Sequence, residues 1–362
     1  MVAVVGGLLR LVEVPVVAAP MAGGASTPEL VAAVGGAGGL GFLAAGYLTA
    51  GAMAEQVRRT RELTDRPFGM NLFVPAEPSD PAAVAAYRER LRPEAERLGV
   101  ELPERIAPDR DDWEAKIEAL LADPVPLVSY TFGLPSAVEV AALRAVGSVQ
   151  VGTVTSADEA RAAAALGLDA LTVQGPEAGG HRATHRADAR PGRTPLPALL
   201  AEVRRAGDLP LIAAGGLGDG AAIAAALAAG AAAVQLGTAY LRSDESGAAA
   251  AYRAALVDER YAETTVTRAF TGRPARGLRN AFIDRHEPYA PAAYPEVHHL
   301  TRPLRAAAAA RGDLDGMNLW AGTAHLRARS GPAAQITREL WAEAARLLGT
   351  RPARHHSWGA RL

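Results

Sequence analysis

The sequence predicts a parallel (β/α)8 barrel, and three observations predict it. Short β-branched or apolar runs alternate with alanine-rich helical stretches, eight such units follow one another, and the residues just past the strands are polar or glycine-rich. An open doubly wound sheet alternates in the same way. Eight consecutive units favour closure, and the glycine string falls at units seven and eight, not after the first strand, which weighs against a dinucleotide fold.

The expected strands run over residues 14–19, 39–44, 68–74, 127–131, 148–154, 170–174, 211–214 and 232–236, with helical patterns near 28–34, 50–63, 137–146, 157–166, 196–206 and 220–229. Ser156 and Asp158 stand where a helix cap is wanted, and Gly167 and Gly230 where a helix should stop. Two segments break the rhythm. A helical insertion at 76–126 follows strand three, rich in charge and proline, with helices expected at 81–98 and 111–121. A C-terminal helical lobe at 246–350 carries helices expected at 292–311 and 333–348. Both read as covers for the mouth of a barrel built from 1–75 and 127–245. A loosely held tail at 351–362 carries His355 and His356.

Composition removes several classes of function. With 38 basic against 39 acidic residues there is no cationic field to hold nucleic acid or an anionic membrane. No run reaches the roughly 18 apolar residues of a membrane span, and the N-terminus lacks the basic flank and cleavage site of a secretion signal, so a cytoplasmic protein is expected. The absence of cysteine excludes disulfides, iron–sulfur clusters, thiolate zinc sites and thiol nucleophiles. Lys116, the sole lysine, falls in a charged insertion helix, so Schiff-base chemistry is set aside.

The active face of such a barrel lies at the C-terminal strand ends. Ala19, Pro20 and Met21 follow strand one, Asn71 ends strand three, and Gln174 leads through Gly-Pro-Glu-Ala to Gly179, Gly180 and His181. Ala213-Ala-Gly-Gly216 ends strand seven, and Gln235, Leu236, Gly237 and Thr238 end strand eight. Consecutive glycines let backbone N–H groups approach an anion, and a short helix after strand eight adds its positive end, which together make a phosphate cradle.

Asn71 and Gln174 are amides able to donate and accept at once, as the edge of a flavin pyrimidine ring requires; alternatively they satisfy loop backbone groups. Met21 packs against a ring system or fills the core. His181, brought near the cradle by two glycines, suits a base or a donor to an anion. His185, four residues on, suits a shared metal only in a helix, and the flanking glycines and proline argue for a loop, so no metal is expected.

Five motifs, Gln174-Gly-Pro-Glu-Ala-Gly-Gly-His181, Ala213-Ala-Gly-Gly with Asp219-Gly220, Gln235-Leu-Gly-Thr238, Gln150-Val-Gly-Thr153 and Thr271-Gly-Arg-Pro-Ala-Arg-Gly-Leu-Arg-Asn280, together resemble the nitronate monooxygenases. The resemblance runs from about Val14 to Gly322. It implies non-covalent FMN and oxidation of a small alkyl nitronate or related carbanion by O2 to a carbonyl compound and nitrite. It further implies that Ala19, Pro20, Met21, Asn71, Gln174, Gly179, Gly216 and Gln235 to Thr238 hold FMN, and that His181 meets the substrate anion or removes a proton from a neutral nitroalkane.

The chain departs from the family pattern at Thr323, after Trp320-Ala-Gly322, and at Ala183, after His181-Arg182. Both departures border the expected substrate side of the flavin. FMN-dependent enoyl-[acyl carrier protein] reductases share the Glu-Ala-Gly-Gly-His element and form the alternative, and a flavin-binding protein without turnover forms a second. Inosine monophosphate dehydrogenases share the cradle but require a cysteine.

Overall fold

Eight parallel strands close on themselves. From β1 (Val16–Ala18) the order runs through β2 (Leu40–Ala44), β3 (Phe68–Phe73), β4 (Leu127–Thr131), β5 (Val149–Val154) and β6 (Ala170–Gln174). It passes over a two-residue strand outside the barrel, β7 (Gly180–His181), to β8 (Leu211–Ala214) and β9 (Ala233–Leu236). Val234 of β9 then pairs with Val16 and shuts the ring. This computed structural model describes residues 12–350, and the tail at 351–362 lies outside the described residues. The closed barrel is the expected one, with strand ends moved by a residue or two. Val14, for example, gives its N–H to Gly38 O in the turn ahead of β2 and so stays out of the ladder.

The strands are buried on both sides, as their apolar runs require. Alternation sends Val17, Leu40, Phe42, Leu127, Val151 and Ile212 into one cluster, while Val16, Leu43, Met70, Val128 and Val234 join a second with the helices. Gly41 has a packing reason: a Cβ there would sit 2.6 Å from Val31 Cα in helix α1 (Pro28–Gly36).

The remaining barrel helices are α2 (Ala50–Leu63), α5 (Ala137–Ala145), α6 (Ala157–Ala165), α7 (Leu196–Ala206) and α8 (Gly220–Ala228). Ser156 caps α6 by accepting from Glu159 N, whereas Asp158 lies inside the first turn.

The insertion folds as α3 (Pro81–Leu98) and α4 (Trp113–Ala122). The C-terminal region contains α9 (Ala250–Ala255), α10 (Ala281–His286), α11 (Glu296–Ala310) and α12 (Ala333–Leu347). Tyr87 and Leu91 of α3 share a core with Phe270, Phe282, Val297 and Leu300, so α3 and the C-terminal region pack as one cap, whereas Trp113, Ile117 and Leu120 of α4 join the barrel core.

Two features differ from a purely helical lobe. Helix α12 packs on α8 and α1 through Ile336, Leu340 and Ala344, a stripe at helical spacing, and fills the eighth place in the outer ring. Strands β10 (Thr264–Thr267) and β11 (Ala275–Leu278) form an antiparallel hairpin that recruits β7, pairing Ala275 with His181 and Arg276 with Gly180. A two-residue strand whose partner lies nearly a hundred positions away leaves no periodic trace in sequence. No helix among the described residues is long and apolar enough to cross a membrane.

Candidate active site

A cavity of about 470 Å³ opens at the C-terminal ends of the barrel strands, under the cap. Its wall includes Ala19, Pro20, Met21, Asn71, Gln174, Gly179, His181, Gly216, Gln235, Leu236, Gly237 and Thr238, so every site residue expected from sequence meets in one space. Ala183 and Thr323, the two departures from the family pattern, are not among the lining residues. Ala183 is buried, with its N–H given to Gln174 Oε1 at 2.9 Å, and Thr323 N donates to Glu177 O at 3.0 Å, so both back the site from behind.

At one end of the cavity lies the glycine cradle. Gly215 and Gly216 have φ of +117° and +71°, a backbone that side chains rarely adopt. A Cβ at Gly179 would lie 2.5 Å from Gly322 N, and one at Gly216 2.9 Å from Glu177 Cβ. Among the described residues, no protein group accepts from the N–H of Gly216, Gly237 or Thr238. All three residues are half-buried on the wall of this one space, and unpartnered N–H groups there suit the oxygens of a phosphate. The short helix expected after strand eight is a single 3₁₀ turn, Thr238–Tyr240, so individual N–H groups and not a helix dipole face the cradle.

The two amides are each half engaged. Asn71 Nδ2 donates to Ser129 Oγ at 2.9 Å and Thr131 Oγ1 at 3.0 Å, while its oxygen meets only the Thr131 hydroxyl at 3.5 Å. Gln174 Nε2 donates to His181 O at 3.0 Å and its Oε1 accepts from Ala183 N, which leaves one N–H toward the cavity. An acceptor from Asn71 and a donor from Gln174 fit the alternating edge of a flavin ring.

His181 is held by more than a loop. Its strand pairs with β11, its carbonyl is clamped by Gln174, and its Nε2 lies 2.9 Å from Thr271 Oγ1. The rings of Phe132, Tyr294 and Trp320 stand 5.5, 5.7 and 5.6 Å from it. Burial, then the guanidinium charges of Arg273 and Arg305, push its pKa down to about 3, so the imidazole is neutral at physiological pH. Arg273 is fully buried, lies 3.9 Å over the Phe132 ring and donates to Thr184 O. His185 turns away from His181, with Nε2 against Thr153 O at 3.1 Å.

The cavity wall also holds residues given no role from sequence. Tyr47 stacks on His298 with ring centroids 4.0 Å apart, and Arg305 places Nη2 2.9 Å from His298 O. Tyr47, His298, Arg305, Thr271, Phe132 and Trp320 all line the space. Phe132 directly follows β4 and Tyr47 lies in the loop after β2, so the strand-end rule reaches both. The others belong to the cap, where no such rule applies.

Residues 8–343 match a family model described as nitronate monooxygenase. A nitronate monooxygenase of Paraburkholderia phytofirmans is 41% identical over 341 residues, covering 91% of this chain and 92% of that protein. One of Pseudomonas aeruginosa is 42% identical over 347 residues, covering 91% and 95%. Among solved structures, a nitroalkane oxidase from Streptomyces ansochromogenes superposes with a TM-score of 0.91 at 51% identity, over 94% of this chain and 98% of that one. FabK from Thermotoga maritima gives 0.74 at 27% identity, over 95% and 96%.

Proposed function

The chain belongs to the nitronate monooxygenase family, and from that premise we propose that it uses FMN to oxidise small alkyl nitronates with O2, giving a carbonyl compound and nitrite. The observation that carries the reading is the single cavity that joins the unpartnered N–H groups of Gly216, Gly237 and Thr238 to the neutral imidazole of His181.

In this reading Gly216, Gly237 and Thr238 hold the phosphate, Asn71 and Gln174 meet the ring edge, and Ala19, Pro20, Met21, Gly179, Gln235 and Leu236 shape the remaining contact. FMN held there would supply the electron acceptor for the oxidation, with O2 as the final oxidant. The aromatic wall of Phe132, Tyr47 and Trp320 excludes water from the reacting carbon. His181 accepts the α-proton of a neutral nitroalkane, and the N–H so formed can donate to a nitronate oxygen. Arg273 and Arg305 place positive potential beside it, which favours an anion.

Purified protein is expected to be yellow, to release FMN on denaturation, and to form nitrite from propionate 3-nitronate in air without added nicotinamide. His181→Ala should keep FMN and lose turnover, most severely with neutral nitroalkanes. Colourless protein without affinity for FMN would overturn the proposal, and NADPH oxidation coupled to an enoyl thioester would replace it with the reductase alternative.

A further inference from the structure

We infer that Thr271 sets the tautomer of His181, holding the ring proton on Nε2 and leaving Nδ1 as the atom that accepts a proton from substrate. The inference rests on the role proposed above for His181.

Thr271 is 1% exposed and sits at the cavity wall in the turn between β10 and β11, so its hydroxyl is engaged by protein groups. Three groups lie around Oγ1: His181 Nε2 at 2.9 Å, Arg273 O at 3.2 Å and Arg273 N at 3.4 Å. A hydroxyl has one proton and two lone pairs. Arg273 N–H can only donate, so one lone pair is committed to it. The proton then goes either to Arg273 O or to His181 Nε2.

The two choices leave different groups unpaired. If the hydroxyl donates to Arg273 O, its second lone pair accepts Nε2–H, and all three neighbours are satisfied. If it donates to Nε2, Arg273 O loses the sole partner found for it among the described residues, inside a fully buried residue. Nδ1 has no protein partner among the described residues in either tautomer, so the choice turns on Arg273 O. An unpaired buried polar group keeps its full desolvation cost, so the first arrangement holds. The ring is neutral, pressed by burial and by Arg273 and Arg305, so the choice of tautomer is a real one and not erased by double protonation.

The consequence concerns substrate class. A lone pair on Nδ1 takes the α-proton of a neutral nitroalkane: the C–H bond breaks, an N–H bond forms, and the electron pair stays on the substrate, spread over carbon and the nitro oxygens as a nitronate. A preformed nitronate has no such proton to give, and its oxygens would meet a lone pair at Nδ1 and not a donor, so this tautomer does not serve it. Thr271 is therefore a positioning residue for neutral carbon acids.

Nitrogen-15 spectra of histidine-labelled, FMN-loaded protein at neutral pH test this directly, with His181 assigned by its loss in His181→Gln. The expected pattern is a pyrrole-like Nε2 and a pyridine-like Nδ1 in the parent and in Thr271→Ser. In Thr271→Val the two shifts should move toward each other, while kcat/KM for nitroethane falls about 10²-fold and that for ethyl nitronate changes less than about threefold.

A protonated Nδ1 in the parent overturns the inference even if nitroalkanes are oxidised. The expected spectrum in a protein without nitrite formation upholds the tautomer and removes the proposed function instead. Equal losses for nitroethane and ethyl nitronate in Thr271→Val, with Thr271→Ser no better, reduce Thr271 to a structural residue.

Discussion

Lys116 Nζ lies 2.7 Å from Asp111 Oδ2, with Lys116 fully buried and Asp111 half-buried behind the loop of Tyr47. Sequence places this lysine in a charged helix; the fold turns it inward, where Nζ also donates to Ala45 O at 3.0 Å and Asp111 Oδ1 accepts from Tyr47 N at 2.7 Å. Asp112 Oδ2 takes Ala50 N at the start of α2. Tyr47, Asp111 and Asp112 have φ of 70°, 55° and 54°, a costly backbone for residues with side chains, and they meet at this one junction. The insertion thereby latches the loop that presents Tyr47 to the cavity.

Lys116→Met should cost about 3–5 kcal/mol in urea unfolding, because it leaves a buried carboxylate without its counter-ion. Asp111 is already raised to about 6 by burial despite the pull of Lys116. Pairing Lys116→Met with Asp111→Asn should recover part of the loss. If the single variant unfolds like the parent, the latch contributes no stability.

Gly179→Ala tests the cradle. Its new Cβ would meet backbone atoms, Gly322 N at 2.5 Å and Ala321 C at 2.6 Å, which cannot swing aside as a side chain does. A stability loss of about 1–3 kcal/mol is expected, together with weaker FMN retention on gel filtration. Unchanged retention would detach this glycine from flavin binding.

Gln174→Leu removes the clamp on β7 at nearly constant volume. Both His181 O and Ala183 N lose a partner, for a cost of about 1–3 kcal/mol, and the amide of Ala183 should exchange faster with deuterium. Exchange at the parent rate would show that pairing with β11 alone holds His181.

Acid should weaken the fold through the cavity histidines. His298 is pushed down to about 2, by burial and then Arg305, and His181 to about 3. Because these folded values lie below the ordinary 6.5, their contribution is fully present above that pH and is lost as pH falls, when the unfolded chain binds protons that the folded chain refuses. Asp111, raised by burial, acts in the opposite sense between its ordinary value of 3.8 and about 6. His298→Phe should flatten the decline by about 1.4 kcal/mol per pH unit in urea titrations between about pH 6 and pH 4. Parallel curves for parent and variant would mean that His298 titrates normally.

The alternation of apolar runs and alanine-rich helices, its eight units and the glycine string at units seven and eight pointed to the barrel, because strand burial and helical spacing are local consequences of residue order. The strand-end rule then reached Asn71, Gln174, His181, Gly216 and Thr238, since closure brings every C-terminal strand end to one mouth. Tertiary structure decided what surrounds them. Thr271, Tyr294, His298 and Arg305 come from a cap with no strand-end rule of its own, β7 exists only through its pairing with β11, and α12 completes the ring from beyond the hairpin. The inward turn of Lys116 has the same origin. A charge is buried only where a partner arrives from elsewhere in the chain, and Ala45 and Asp111 meet it through packing that no local pattern encodes.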